Sequence, residues 1–176
     1  MRFDSDAFRK VMGHFATGVT IVTTLDGDRP LGITVNALSS VSLEPPLVMV
    51  ALDRRRRITP FVRAARAYAV NILGEGQQDL SDCFAGAPVE PDREAFCGAA
   101  WRAGPETGMP LLDGVIGTLE CVVEAVESVG DHELFIGRVV AIANDERHPM
   151  PLLYYRRRYL RIERATAVDL EGKPEN

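Results

Sequence analysis

Apolar residues along this chain mostly alternate with polar ones or run in short blocks, and only a few stretches show helical spacing. Residues 4–15 are one of these: Phe8, Val11, Met12 and Phe15 share a face, and Asp4 or Ser5 can cap the first turn. Residues 19–25 form a β-branched strand, and Asp26-Gly27-Asp28 is a hairpin signal. Residues 47–52 are continuously apolar, which predicts a strand buried on both faces. A helix over residues 60–67 follows, with Thr59 as its N-cap and Pro60 at the first helical position. Residues 68–73 read as a strand, and residues 76–84 as a short helix with Leu80 and Phe84 facing the core. Residues 85–109 are rich in Gly, Pro and charge around Trp101, and predict a surface excursion, a lid or part of a subunit contact. Strands over residues 115–126 and 133–142 pair across a turn at residues 127–132. Residues 151–155 and 159–163 close the sheet. Consecutive strands, tight turns and few helices predict a mainly β protein, an antiparallel barrel.

One stretch departs from simple alternation. Gly32-Ile-Thr-Val-Asn-Ala-Leu-Ser-Ser-Val-Ser-Leu-Glu-Pro-Pro46 begins as a β-branched strand, becomes a run of small polar side chains and stops at two prolines. Small hydroxyl and amide groups at a strand end let a planar, hydrogen-bonding ligand such as a flavin lie against the backbone. A plain polar strand–loop–strand connection reads the same residues equally well. Four arginines, Arg54 to Arg57, precede the helix at Thr59 and suit a phosphate, through guanidinium forks and free backbone N–H groups. The alternative is a solvated loop.

Composition narrows the classes. The chain has 176 residues, with 46% hydrophobic and 26% charged, which suits one soluble domain over residues 1–165 with a flexible polar tail at 166–176. A net charge of −5 argues against nucleic acid or an anionic membrane as partner. No apolar run reaches the length of a membrane span, and the first residues do not read as a signal peptide. Cys83, Cys97 and Cys121 are odd in number and widely spaced. They predict a reducing cytoplasm, with neither a disulfide framework nor a zinc site. Three histidines do not make a His-rich metal site.

His132, after Gly130-Asp131, falls at the start of a strand and is predicted to be exposed. Its imidazole there can bind a phosphate or a carboxamide, shuttle a proton, or merely hydrogen-bond the turn. There is no G-x-S-x-G elbow, no G-x-G-x-x-G and no Walker-type loop, so hydrolase, Rossmann and P-loop chemistry are unsupported.

With these blocks in order, the chain resembles the flavin reductase-like family, the reductase components of two-component flavin monooxygenases. The matching residues are Phe15-Ala-Thr-Gly-Val-Thr-Ile-Val-Thr-Thr24, the stretch from Gly32 to Leu47, Ala69-Val-Asn-Ile-Leu73 and the helix from Gln78 to Phe84. They continue with Leu119-Glu-Cys121, Gly130-Asp-His-Glu-Leu-Phe-Ile-Gly137 and Pro151-Leu-Leu-Tyr-Tyr155, and together cover roughly residues 8–160. The 85–109 segment carries little of the pattern beyond Arg93, Phe96 and Trp101.

The resemblance implies an FMN-binding type of split β-barrel, an antiparallel Greek-key fold, acting as a cytoplasmic homodimer with flavin near the subunit interface. It implies hydride transfer from NADH or NADPH to FMN or FAD, with reduced flavin passing to a partner monooxygenase. No metal and no catalytic side chain are implied, because the cofactors supply the chemistry and the protein orients them. Carried over, Thr34, Val35, Asn36 and Ala37 floor the flavin ring, and Leu52 and Asp53 belong to the same cofactor site. Ser39, Ser40 and Ser42 become ring or ribityl contacts, Arg57 and Thr59 phosphate contacts, and His132 faces the nicotinamide. Arginines replace the Ser or Lys usual before the helix, so the choice among Arg54 to Arg57 stays open. Two other readings of the same barrel are a non-catalytic flavin- or heme-binding module and an oxidase of the pyridoxamine-phosphate type.

Overall fold

A computed structural model describes residues 3–87, 95–145 and 150–162. In chain order its elements are α1 (Ser5–Met12), β1 (Thr17–Gly18), β2 (Thr20–Asp26), β3 (Arg29–Val35), β4 (Leu38–Leu43), β5 (Pro46–Asp53), α2 (Thr59–Ala65), β6 (Ala67–Ile72) and α3 (Gln78–Ala85). A 3-10 turn at Ala95–Gly98 follows, then β7 (Trp101–Ala103), β8 (Pro110–Leu112), β9 (Gly117–Val129), β10 (His132–Asn144), β11 (Leu153–Tyr155) and β12 (Arg158–Leu160). Among the described residues no helix is long and apolar enough to cross a membrane.

The main sheet has seven strands in the order β3-β2-β6-β9-β10-β5-β4, all its pairs antiparallel. Its two edge strands, β3 and β4, are joined by only Asn36 and Ala37. A flat sheet would hold those edges more than twenty ångströms apart at the usual spacing of about 4.8 Å per strand. The sheet therefore curls until its edges meet, and the Ala51 N–H donates to the Ala37 carbonyl at 3.1 Å, extending the β4–β5 ladder into that two-residue connection. The barrel interior is filled by Val22, Val50, Tyr68, Val70, Cys121, Val123 and Phe135. Alternation sends Ile21 to the outer face, where it packs with Leu73, Phe84, Leu112 and Leu152 beneath α3.

Glycine sets two of the turns: Gly27 (φ 59°) in the β2–β3 hairpin and Gly130 (φ 58°) in the β9–β10 hairpin. Gly137 has a different task. A Cβ there would lie 2.3 Å from the Tyr68 hydroxyl, so β10 passes the buried tyrosine only without a side chain.

Several expectations need correction. α1 is capped by Asp4, whose carboxylate accepts the Asp6 and Ala7 N–H groups, but none of its residues is buried. Phe8, Val11, Met12 and, just beyond the helix, Phe15 are at least half exposed, so among the described residues the apolar face stays largely uncovered, with Phe3 tilted against Phe8 at a centroid distance of 5.8 Å. β5 buries alternate residues, Val48, Val50 and Leu52, and not both faces. Thr59 is the first residue of α2 and not its cap. Ile58 precedes the helix without a capping side chain, and Thr59 is itself buried. Cys83 and Cys97 are joined in a disulfide, which the spacing argument did not anticipate; Cys121 is free and buried. The C-terminal hairpin does not join the main sheet. β11 pairs with β1 on one side and β12 on the other, in a three-stranded sheet of their own. Within the 85–109 excursion, β7 pairs with β8, which lies just beyond it, and Met109 is buried. Arg93 and the 166–176 tail lie outside the described residues.

Candidate functional site

The polar strand end is built as a floor. The Thr20 hydroxyl donates to the Val35 carbonyl at 2.7 Å, holding the last turn of pleat in place. The Thr34 hydroxyl donates to the Ser81 carbonyl at 2.6 Å, which draws α3 over the strand. α3 can approach because Gly32 has no side chain: a Cβ there would meet the Phe84 ring at 2.4 Å. Between these elements lies a groove of about 300 Å³. Thr34 and Asn36 line it from β3, Ser81 and Asp82 from α3, and Tyr154, Arg157 and Tyr159 from the C-terminal hairpin. Arg56 reaches it from the loop after β5.

Polar groups in the groove are ordered by one tyrosine. The Tyr159 hydroxyl lies 2.7 Å from Asp82 Oδ1 and 2.9 Å from Ser81 Oγ, and its ring meets Tyr154 at a centroid distance of 5.5 Å. Partial burial, first of all, pushes the Tyr159 phenol above its ordinary pKa, so it stays a hydroxyl at neutral pH. Asp82 keeps lone pairs for a further donor such as a sugar hydroxyl.

The four arginines divide. Arg55 clasps the Asp53 carboxylate with Nη2 2.7 Å from Oδ2, and this hydrogen bond holds Asp53 well below the usual carboxylate range. Arg54 donates to the Gly130 carbonyl. Arg57 stands 3.7 Å from Asp26. Arg56 alone has no side-chain partner among the described residues, and it faces the groove. Thr59 spends its hydroxyl on the Asp53 carbonyl at 2.8 Å and its N–H on the Arg56 carbonyl at 3.1 Å, so both its donors stay inside the loop.

The same loop meets the Gly130-Asp131-His132 turn. His132 sits opposite Asp53 in the β10–β5 ladder, and the Arg54 N–H donates to the Asp131 carbonyl at 3.0 Å. The His132 side chain is 42% exposed, and its Nδ1 lies 2.7 Å from Asp131 Oδ1. That bond holds the Asp131 carboxyl below its ordinary value. In the tautomer that donates Nδ1–H to Asp131, the neutral ring leaves Nε2 as an acceptor on its far side.

Of the residues expected at the site, Thr34 and Asn36 line the groove. Val35 and Leu52 are core residues, accessible to a ligand only through their backbone. Ser39, Ser40 and Ser42 lie on β4 outside the groove lining, across a bulge in the β4–β5 pairing. Ala37 and Asp53 also lie outside that lining. Sequence reasoning missed Ser81, Asp82, Tyr159 and Arg157. The only local signal was the Tyr154-Tyr-Arg-Arg-Arg-Tyr159 spacing, which sets Tyr154 and Tyr159 opposite each other across a two-residue turn. A larger depression of about 390 Å³ lies between residues 112–118 and 143–145, and none of the expected site residues reaches it.

An antiparallel barrel whose closing strand end opens into a polar groove with two arginines in its lining has the groups to receive a hydroxylated, anionic ligand. The chain belongs to the family described as flavin reductase like domain, whose model matches residues 12–163. It is similar to an NADH-dependent flavin reductase from a Rhodococcus species, 44% identical over 145 residues, which are 81% of this chain and 78% of the relative. It is also similar to HsaB, the reductase subunit of a flavin-dependent monooxygenase of Mycobacterium tuberculosis, 36% identical over 92% of this chain and 84% of the relative. Among solved structures, nitrilotriacetate monooxygenase component B from Mycobacterium thermoresistibile superposes with a TM-score of 0.86 at 37% identity. That match spans 94% of this chain and 90% of the other. The mainly β, split-barrel architecture expected from the sequence is the one the chain adopts.

Proposed function

We infer that the protein is an NADH-dependent flavin reductase that reduces FMN or FAD and supplies the reduced flavin to a partner monooxygenase. The observation that carries this is the open polar groove at the Thr34–Asn36 strand end, in a chain 44% identical to an NADH-dependent flavin reductase. The groove fits a flavin: it offers backbone at a strand end, hydroxyl and carboxylate groups, and two guanidiniums without a side-chain partner among the described residues. Flavin and nicotinamide supply the hydride chemistry when both are bound. The protein's task is to hold the rings in contact and in orientation, a proximity effect.

His132 is assigned to the nicotinamide. Asp131 fixes the imidazole through Nδ1, so that Nε2 can accept from a carboxamide N–H. NADH is taken as the donor in preference to NADPH because the relative with that specificity is so similar. The cytoplasm is the compartment this donor implies. Purified protein should oxidise NADH, followed at 340 nm, only when flavin is added or retained. Tight flavin binding with no reduction by NADH would sink the reading and favour a non-catalytic flavin-binding module. His132→Ala should raise the KM for NADH about three- to tenfold, the worth of one hydrogen bond, with a smaller effect on flavin. Equal loss for both ligands, or for neither, would remove its role.

A homodimer accounts for the apolar surface this chain leaves uncovered: Phe8, Val11 and Met12 on α1, and Val41 and Leu43 on edge strand β4, with Leu43 90% exposed.

A further inference from the structure

The turn between β11 and β12 consists of Arg156 and Arg157, with φ of 49° and 65°. Two consecutive left-handed residues make a hairpin turn that Asn-Gly fills with least strain, and arginine is a poor choice for either place. Strained residues of this kind persist where the surroundings hold them, and they gather at ligand sites. Here the Arg156 N–H is fastened to the Gly13 carbonyl at 2.9 Å, at the end of α1. The turn carries Arg157 into the groove, where Arg56 arrives from the loop after β5. Neither guanidinium has a side-chain partner among the described residues, although Arg54, Arg55 and Arg57 beside them are all engaged. Among the described residues that line the groove the one carboxylate, Asp82, is already hydrogen-bonded by Tyr159.

Two unpaired guanidiniums from separate elements, next to a carboxylate able to accept hydroxyls, are the groups that bind a sugar phosphate. We propose that Arg56 and Arg157 clamp the phosphate of the flavin's ribityl chain, that Asp82 and Tyr159 take ribityl hydroxyls, and that the clamp selects FMN and FAD over riboflavin. The proposal rests on the flavin reductase reading and adds to it the residues that set flavin specificity. A nicotinamide dinucleotide also carries phosphate, so the test must separate the two sources.

The wild-type chain, Arg157→Gly, Arg157→Lys and Arg56→Ala are compared for binding of riboflavin, FMN and FAD by flavin fluorescence, and for the KM of NADH. Glycine relieves the left-handed φ, so Arg157→Gly keeps the turn while removing the charge. The FMN-to-riboflavin affinity ratio should fall roughly tenfold in Arg157→Gly and in Arg56→Ala, with Arg157→Lys in between. FMN binding to the wild type, unlike riboflavin binding, should weaken as salt rises. If riboflavin and FMN lose affinity alike, Arg157 only shapes the groove and the clamp is refuted. If the KM of NADH rises while the flavin ratio holds, the cations serve the nicotinamide dinucleotide and the proposal is equally refuted. If the wild type binds no flavin, the underlying reading fails; if it reduces riboflavin as readily as FMN, only the clamp fails.

Discussion

Asp53 shows how a single residue orders the site. Its carboxylate holds Arg55, its carbonyl accepts from Thr59, and across the ladder it faces His132. Because its folded pKa is depressed, the unfolded chain takes up the proton first as pH falls. The pair's contribution to stability is therefore complete above the ordinary carboxylate value of 3.8 and drains away below it. Melting curves of wild type and Asp53→Asn should differ at pH 7, and the gap should narrow progressively as pH falls below 3.8; a gap of equal size at about pH 7 and about pH 2 would contradict the assignment. Deeper in the barrel, the Tyr68 hydroxyl is buried beside the Cys121 thiol under Gly137. Gly137→Ala should cost about 1–3 kcal/mol by overpacking. Tyr68→Phe, which removes the obstructing oxygen, should recover part of that loss in a double-mutant cycle. Additive effects in urea unfolding would show that the contact does not limit packing.

Among elements, α3 carries both the groove wall and one end of the Cys83–Cys97 bond, which ties it to the 3-10 turn at Ala95–Gly98. Phe84 and Phe96 meet edge-on alongside, and Phe96 and Cys97 are held at positive φ. Burial pushes the remaining thiol, Cys121, up to about 12. Alkylation at pH 8 should thus label no cysteine in the native, unreduced protein, one after denaturation and three after denaturation with reduction. Three labels without reductant would mean that the bond does not form. Element positions were largely legible beforehand, since alternation, Gly27 and Gly130 mark β2–β3 and β9–β10 locally. The partners of the last hairpin were not. Three-residue strands carry too little pattern to say which edge they join, and β11 chose β1 through contacts well over a hundred residues apart in the chain.

For the molecule as a whole, the uncovered apolar surfaces carry the dimer proposal. α1 has the periodicity of a core-facing helix, yet it buries nothing here, which is what a helix completed by a second copy looks like. Sedimentation equilibrium should give twice the chain mass. Phe8→Glu together with Leu43→Glu should shift the protein towards monomer without unfolding it, because both side chains are exposed in the single chain. A wild-type monomer at micromolar concentration would remove the proposal.

The sequence by itself determined the β-rich class, the hairpins, the helix cap at Asp4 and the small-residue strand end around Thr34 and Asn36. Each of these rests on φ preferences, capping or side-chain period within a few residues. Only the tertiary structure decided which of four neighbouring arginines faces the groove, that Arg157 joins it, and that Cys83 finds Cys97. Those outcomes depend on barrel closure, which brings β3 to β4 through two residues and lays α3 and the C-terminal hairpin over the seam. Within the arginine run only Arg55 takes a local partner, Asp53; Arg54 and Arg57 are set apart from Arg56 by partners supplied from afar, Gly130 and Asp26. The polar strand end was visible as a floor; the groove above it came from elements distant in the chain.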